Sequence, residues 1–157
     1  MGVKAVSRLI AGAADYETGV WTPVLAGVSV AGSHSYANQG GTYVKFGNLV
    51  WATGIVALSA FDPATSGNML ITGLPFVSSS GSHNSSAFEL ARFHNINLDA
   101  ANGYTFPLLT LPGGSSFLQI NQFGDNLPDK AVSASDMSNS SAIRFSAVYV
   151  TNTSGAG

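Results

Sequence analysis

The sequence predicts an all-β protein: an antiparallel, jelly-roll-like β-sandwich over residues 15–157, with a short N-terminal helical segment or stalk end over residues 1–14. Three observations carry this expectation. Runs rich in Val, Ile, Phe, Tyr and Thr recur at intervals of about ten residues with turn residues between them, the pattern of a sandwich or jelly roll. Helical spacing is confined to Val3, Val6, Ile10 and Ala13, a seam too short to hold a helix alone. Only 9% of residues are charged, against about 25% ordinarily, while 45% are hydrophobic. The 157 residues suit one domain with its own core.

The same composition excludes several function classes. A chain with net charge −2 and this much apolar content is not disordered by charge. Six Lys and Arg in total are too few for a basic nucleic-acid module. No run reaches the roughly 18 apolar residues of a membrane-crossing helix, so no membrane insertion is expected. Arg8 interrupts the apolar run behind Lys4, which counts against a secretory leader. With no cysteine there is no disulfide, thiol nucleophile or thiolate metal site. Ser, Thr and Asn number 21, 10 and 11, so the sequons at Asn84, Asn139 and Asn152 are expected by chance.

Two readings stand for the N-terminal seam: a frayed leader, or the end of an oligomeric stalk. Strand patterning begins at Val20. Residues 21–25 form a short apolar run whose Pro23 suits an edge or a strand start. Residues 27–41, rich in Gly, Ser and Asn, read as a loop or weak hairpin. Residues 42–46 and 49–58 flank Gly47 and Asn48, which predicts a hairpin. In the second arm Val50, Ala52, Gly54, Val56 and Leu58 alternate with Leu49, Trp51, Thr53, Ile55 and Ala57. Both faces are apolar, which predicts a central strand buried on both sides, with a bulge or close backbone approach at Gly54.

Asp62-Pro63 and Ser66-Gly67 mark a turn before the strand at residues 69–71. Residues 77–86 read as an exposed loop and residues 87–93 as a strand. Asn102-Gly103 turns into residues 104–111, where Pro107 predicts an edge strand. A turn at residues 112–114 leads into a strand over residues 116–123. Residues 124–139 form a long polar connection with a strand-like stretch at 131–134, and residues 142–151 form the closing strand.

Three blocks are familiar in order. They are Asp15-Tyr16-Glu17-Thr18-Gly19-Val20-Trp21-Thr22-Pro23, Gly41-Thr42-Tyr43-Val44-Lys45-Phe46-Gly47-Asn48-Leu49-Val50, and Ile71-Thr72-Gly73-Leu74-Pro75-Phe76. They resemble the D-Y-E-x-G-x-W-T-P, G-x-Y-x-K-x-G-x-x-V and I-x-G-L-P-F elements of the C-terminal β-sandwich domains of bacteriophage tail fibres and tailspikes. The resemblance covers residues 15–76, and loosely the closing strand through Tyr149. It implies a homotrimeric part of the virion tail, assembled in the bacterial cytoplasm and joined to the rest of a fibre or spike. Such a domain binds a host surface glycan, lipopolysaccharide or capsule; the alternative it implies is a purely structural domain that trimerises and registers the fibre. Depolymerase activity in such proteins sits on a separate upstream β-helix, so neither an enzyme nor a cofactor is expected here.

The blocks also have physical readings. Gly41, Gly47 and Gly73 fit turns that need positive φ, Trp21 and Phe76 suit the ends of a sandwich, and Lys45 points to the face opposite Val44 and Phe46. For carbohydrate binding the candidates are His83 and Asn84 in the Ser-rich loop, and Asn102 and Tyr104 at the hairpin. Tyr104 is the stacking candidate, or equally a sandwich aromatic. The candidate trimer interface is Trp51 and Ile55, with Val3, Val6 and Ile10, because a second apolar face on residues 49–58 needs a cover.

Other chemistry has little support. His34, His83 and His94 lack metal-site spacing, although a His83 or His94 on a threefold axis would meet two copies of itself. Most carboxylates, Asp62 among them, sit in turn contexts. Glu89 lies within an apolar strand with Arg92 as a plausible partner, and no second acid is placed for glycoside hydrolysis. No G-x-S-x-G elbow occurs.

Overall fold

The computed structural model describes residues 16–81 and 87–152. The seam of Val3, Val6, Ile10 and Ala13 lies outside the described residues, as do His83 and Asn84.

Two antiparallel sheets account for the described strands. The first contains β1 (Tyr16–Trp21), β3 (Ser35–Phe46), β4 (Leu49–Ala60), β6 (Ala87–His94) and β10 (Ala142–Val150), in the order β1-β3-β4-β10-β6. The second contains β2 (Val24–Gly27), β5 (Met69–Thr72), β7 (Phe106–Thr110) and β8 (Phe117–Phe123), in the order β2-β5-β8-β7, with the short β9 (Lys130–Ala131) paired to β8. Among the described residues, helix is limited to 3-10 turns at Ala100–Asn102 and Ala134–Asp136. The described residues are therefore mostly β, as their patterning predicts.

Period-two alternation explains the core. Val50, Ala52, Val56 and Leu58 of β4 and Ile143, Phe145, Ala147 and Tyr149 of β10 face inward. They meet Leu25, Met69, Ile71, Leu109, Leu118 and Ile120 of the second sheet in one buried cluster. Each fully buried aliphatic or aromatic side chain stabilises the fold by about 1.5–3 kcal/mol. Pro107, which lacks an amide donor, sits in β7 at the sheet edge, where the missing hydrogen bond does least harm.

Four expectations need correction. First, β3 starts at Ser35, so residues 35–41 are strand despite their Gly, Ser and Asn content. Pairing with the strongly apolar β4 outweighs their weak strand propensity. Second, Gly47 and Gly73 do have positive φ, at 56° and 88°, but Gly41 is not at a turn. It pairs with Trp21 and Gly54 mid-sheet, and a Cβ there would collide with the Trp21 ring and the Thr53 carbonyl. Third, of the two readings of Gly54 the bulge is absent and the close approach holds, made by the Phe145 and Trp21 rings. The register of Gly54 with Gly41 and Phe145 is unbroken, and a Cβ would stand 2.5 Å from Phe145 Cζ. Fourth, β4 is central but covered on one side only, and Trp51 is 51% exposed.

A bulge does occur in β6, opposite Arg144 and Phe145. Leu90 pairs with Phe145 and Arg92 with Arg144, leaving Ala91 as the extra residue. Glu89 and Arg92 would otherwise face opposite ways. The bulge sets them opposite Ser146 and Arg144, on one face. Lys45 points away from Val44, as predicted, which sends it inward: it is 2% exposed, with its ammonium 5.6 Å above the Phe76 ring.

Candidate functional site

The long polar connection 124–139 is the segment that builds a concave polar surface. Its β9 stretch pairs Ala131 with Asn121 and Lys130 with Gln122. Backbone bonds then clamp it to the sheet: Val132 N donates to Ile120 O at 2.8 Å, and Met69 N donates to Val132 O at 2.8 Å. The chain next enters the Ala134–Asp136 turn, which Ser133 and Asp136 close as a reciprocal cap. The Asp136 carboxylate accepts from the Ser133 amide and hydroxyl, both at 2.8 Å. Asn97 N donates to Asp136 O at 2.8 Å and ties in the opposite wall.

That wall is anchored by Gln122, a buried amide whose Oε1 accepts from Asp99 N at 2.7 Å. The Ala100–Asn102 turn follows, ending on Gly103 at φ 87°. Asn102 donates its side-chain N–H groups to both Asp99 oxygens, at 2.8 and 3.0 Å. Lys130 forms an ion pair with the same carboxylate at 2.5 Å. The Lys130 and Asn102 bonds hold the Asp99 carboxyl below the usual carboxylate range, and the Asp99 bond holds the Lys130 ammonium above its own. Lys130 also lies 5.5 Å above the half-buried Tyr104 ring, so that face is already occupied.

Between these walls lies a depression of about 520 Å³, bordered by Asn68, Asn97, Asp99, Lys130, Ser135 and Asp136. The side-chain amides of Asn68 and Asn97 are exposed and make no hydrogen bond among the described residues. Carboxylate, ammonium, amide and hydroxyl groups thus converge with spare donors and acceptors. Such a set can grip a hydroxylated ligand by multiple hydrogen bonds.

Two predicted residues, Asn102 and Tyr104, do not line this depression; they contact two residues that do, Asn102 bonding Asp99 and Tyr104 lying beneath Lys130. Ile55 and Trp51 share the outer face of the first sheet, and neither lines the depression. Sequence reasoning missed Asp99, Asn97, Asn68, Lys130 and Asp136. The Asp99–Asn102 spacing before Gly103 was a usable turn signal. Lys130 carried none, because its partner lies 31 positions away.

His34 is a structural side chain. It stacks on Phe61 at 4.8 Å, and its Nδ1 accepts from Asp62 N at 3.1 Å. Burial lowers its proton affinity, outweighing the opposing pull of Asp62 and the Ala31 carbonyl. Asp62 closes the turn as expected, accepting from Ser33 N at 2.8 Å and Ala64 N at 2.9 Å. Among the described residues no three His, Asp or Glu side chains cluster to hold a metal ion.

No family model matches the sequence, and no curated protein matches it significantly. The fold is similar to the crystal structure of the Dettilon tailspike protein (gp208), with a TM-score of 0.68 and 20% identity over 86% of this chain. The chain spans 24% of that protein's length. At this identity the likeness is one of fold.

Proposed function

We propose that this chain is a distal domain of a phage tail fibre or tailspike, which forms a homotrimer within the virion tail and binds a host cell-surface polysaccharide. The two sheets are read as layers of a jelly-roll-like β-sandwich, a reading supported by their shared buried cluster. The observation that carries the proposal is the outer face of the first sheet. Tyr16, Phe46, Leu49 and Val150 align across four strands, and Thr18, Val44, Trp51 and Val148 form the next row. Tyr16 and Phe46 are 57% and 58% exposed, and Leu49 and Trp51 are similarly open. Soluble monomers rarely leave an apolar patch above a few hundred Å² uncovered. A closed ring of copies covers such a face on every subunit, and the resemblance of the three sequence blocks to tail-fibre and tailspike domains implies threefold symmetry. Trp51 sits centrally in this interface and Ile55 extends it.

The polar depression supports polysaccharide binding, since its groups suit hydroxyls better than a hydrophobic ligand. A non-catalytic role fits Asp62, Asp136 and Asp99, which are engaged in a turn, a cap and the Lys130 pair. No helix among the described residues is long and apolar enough to cross a membrane. Light scattering tests the assembly, with an expected mass of about 48 kDa from a 16.1 kDa chain. A printed panel of bacterial surface polysaccharides tests the binding. A trimer that binds none of them, with adsorption unaffected by changes in the polar cleft, supports the second reading, a structural domain that only trimerises and registers the fibre.

A further inference from the structure

Two more depressions adjoin the central one. One, of about 220 Å³, shares Asn68 and Ala131 with it and continues along Gln119, Asn121 and Asp129. The other, of about 410 Å³, shares Asn97, Ser135 and Asp136 and continues to Asn95 and Ser138. Phe123 follows Asn121 by two residues and so lies on the same face of β8, outside the lining of the depressions. Phe123 stacks with the exposed Phe106, their centroids 5.3 Å apart and planes 27° from parallel.

We infer that these depressions are one groove, and that it takes a linear, uncharged polysaccharide along several consecutive sugars, not a single terminal sugar. The inference rests on the polysaccharide-binding reading above. Length follows from continuity: the central depression alone falls in the roughly 300–1,000 Å³ range of a small-ligand site, and the groove runs beyond it at both ends. The class of sugar follows from charge. Asp99, Asp129 and Asp136 line the groove against a single cation, Lys130, which is committed to Asp99. The resulting field repels a polyanionic chain. Elsewhere the lining mixes amide and hydroxyl groups with the apolar Val28, Leu70, Ile96 and Met137. Asn121 is already oriented by Thr110 at 3.1 Å and Asp129 at 3.2 Å, so part of the recognition surface is set before binding. The stacked Phe106–Phe123 pair lies outside the lining of the three depressions and offers a flat apolar surface beside Asn121.

The probes are purified bacterial O-antigen and capsular polysaccharides, neutral and polyanionic, on a printed array. Fragments of increasing length from any that bind are then titrated by calorimetry. Neutral chains should bind, with affinity rising about tenfold or more from the disaccharide to longer fragments. Asn68→Ala and Asn97→Ala change exposed side chains without protein partners, so both variants should melt with the parent protein. Each should weaken binding of the long fragments about tenfold. Preference for polyanionic chains overturns the inference. So does a disaccharide that binds as tightly as longer fragments, or neutral binding that both variants leave unchanged; in each case the polysaccharide-binding reading survives. Binding to no member of the panel removes both.

Discussion

The indole N–H of Trp21 donates to the carbonyl oxygen of Thr53 at 2.8 Å, joining the end of β1 to the middle of β4 across β3. The ring reaches that carbonyl because Gly41 and Gly54, which pair with each other, leave a trough for it. Phe145 closes the trough edge-on, at 6.1 Å and 70°.

Filling the trough should therefore destabilise the domain. Gly41→Ala and Gly54→Ala each place a methyl group against the indole or the Phe145 ring, an overpacking that costs about 1–3 kcal/mol. Trp21→Ala empties the site and should cost about 3–5 kcal/mol. Urea unfolding midpoints measure all three, and an unchanged midpoint for Gly54→Ala would show that Phe145 moves aside freely.

Trp51→Asp tests the oligomer separately from the fold. The side chain is half-exposed in the single chain, so a carboxylate there remains hydrated in a monomer and is desolvated only in an assembly. The expected outcome is a folded 16.1 kDa species by light scattering in place of the proposed trimer. Loss of the cooperative melt instead would place Trp51 in the fold's own stability.

The loop pair around His34 should weaken in acid. Burial lowers the folded-state affinity of His34 for a proton, below the ordinary value of 6.5. The unfolded chain therefore binds the proton first, and stability present above that value is lost as pH falls through it. Protonation at Nδ1 also removes the acceptor for the Asp62 amide. His34→Gln should flatten the dependence of the urea midpoint between neutral and mildly acidic pH, and a slope equal to the parent's would assign it to other groups.

Tyr149 should weaken the fold in base. Its hydroxyl donates to the Phe76 carbonyl at 3.2 Å, and burial pushes its pKa up to about 12. Above the ordinary value of 10.0 the unfolded chain ionises first, so stability falls as pH rises toward the folded value. Tyr149→Phe should lose about 0.5–1.5 kcal/mol at neutral pH and reduce that alkaline slope. Tyr36 and Tyr43 are also raised, by burial and by the Glu17 bond, so spectroscopic titration of tyrosinate should show one fewer late-ionising group in the variant than in the parent.

Much of the fold was legible in the residues themselves. The β3–β4 hairpin, the inward set of β10, the edge position of Pro107 and the turn role of Asp62 all follow from period-two patterning and turn chemistry, which are local. The groove was only half legible: the Asn102-Gly103 turn was readable, but not what it supports. Tertiary structure alone set β3 beginning at Ser35, the bulge at Ala91, the open outer face of β4, and the meeting of Asp99 with Lys130 across 31 positions. Each depends on which distant segments pair and in what register. A one-residue slip in a strand exchanges its two faces, so the arrangement of a site built between strands is a property of the pairing, not of either strand's sequence.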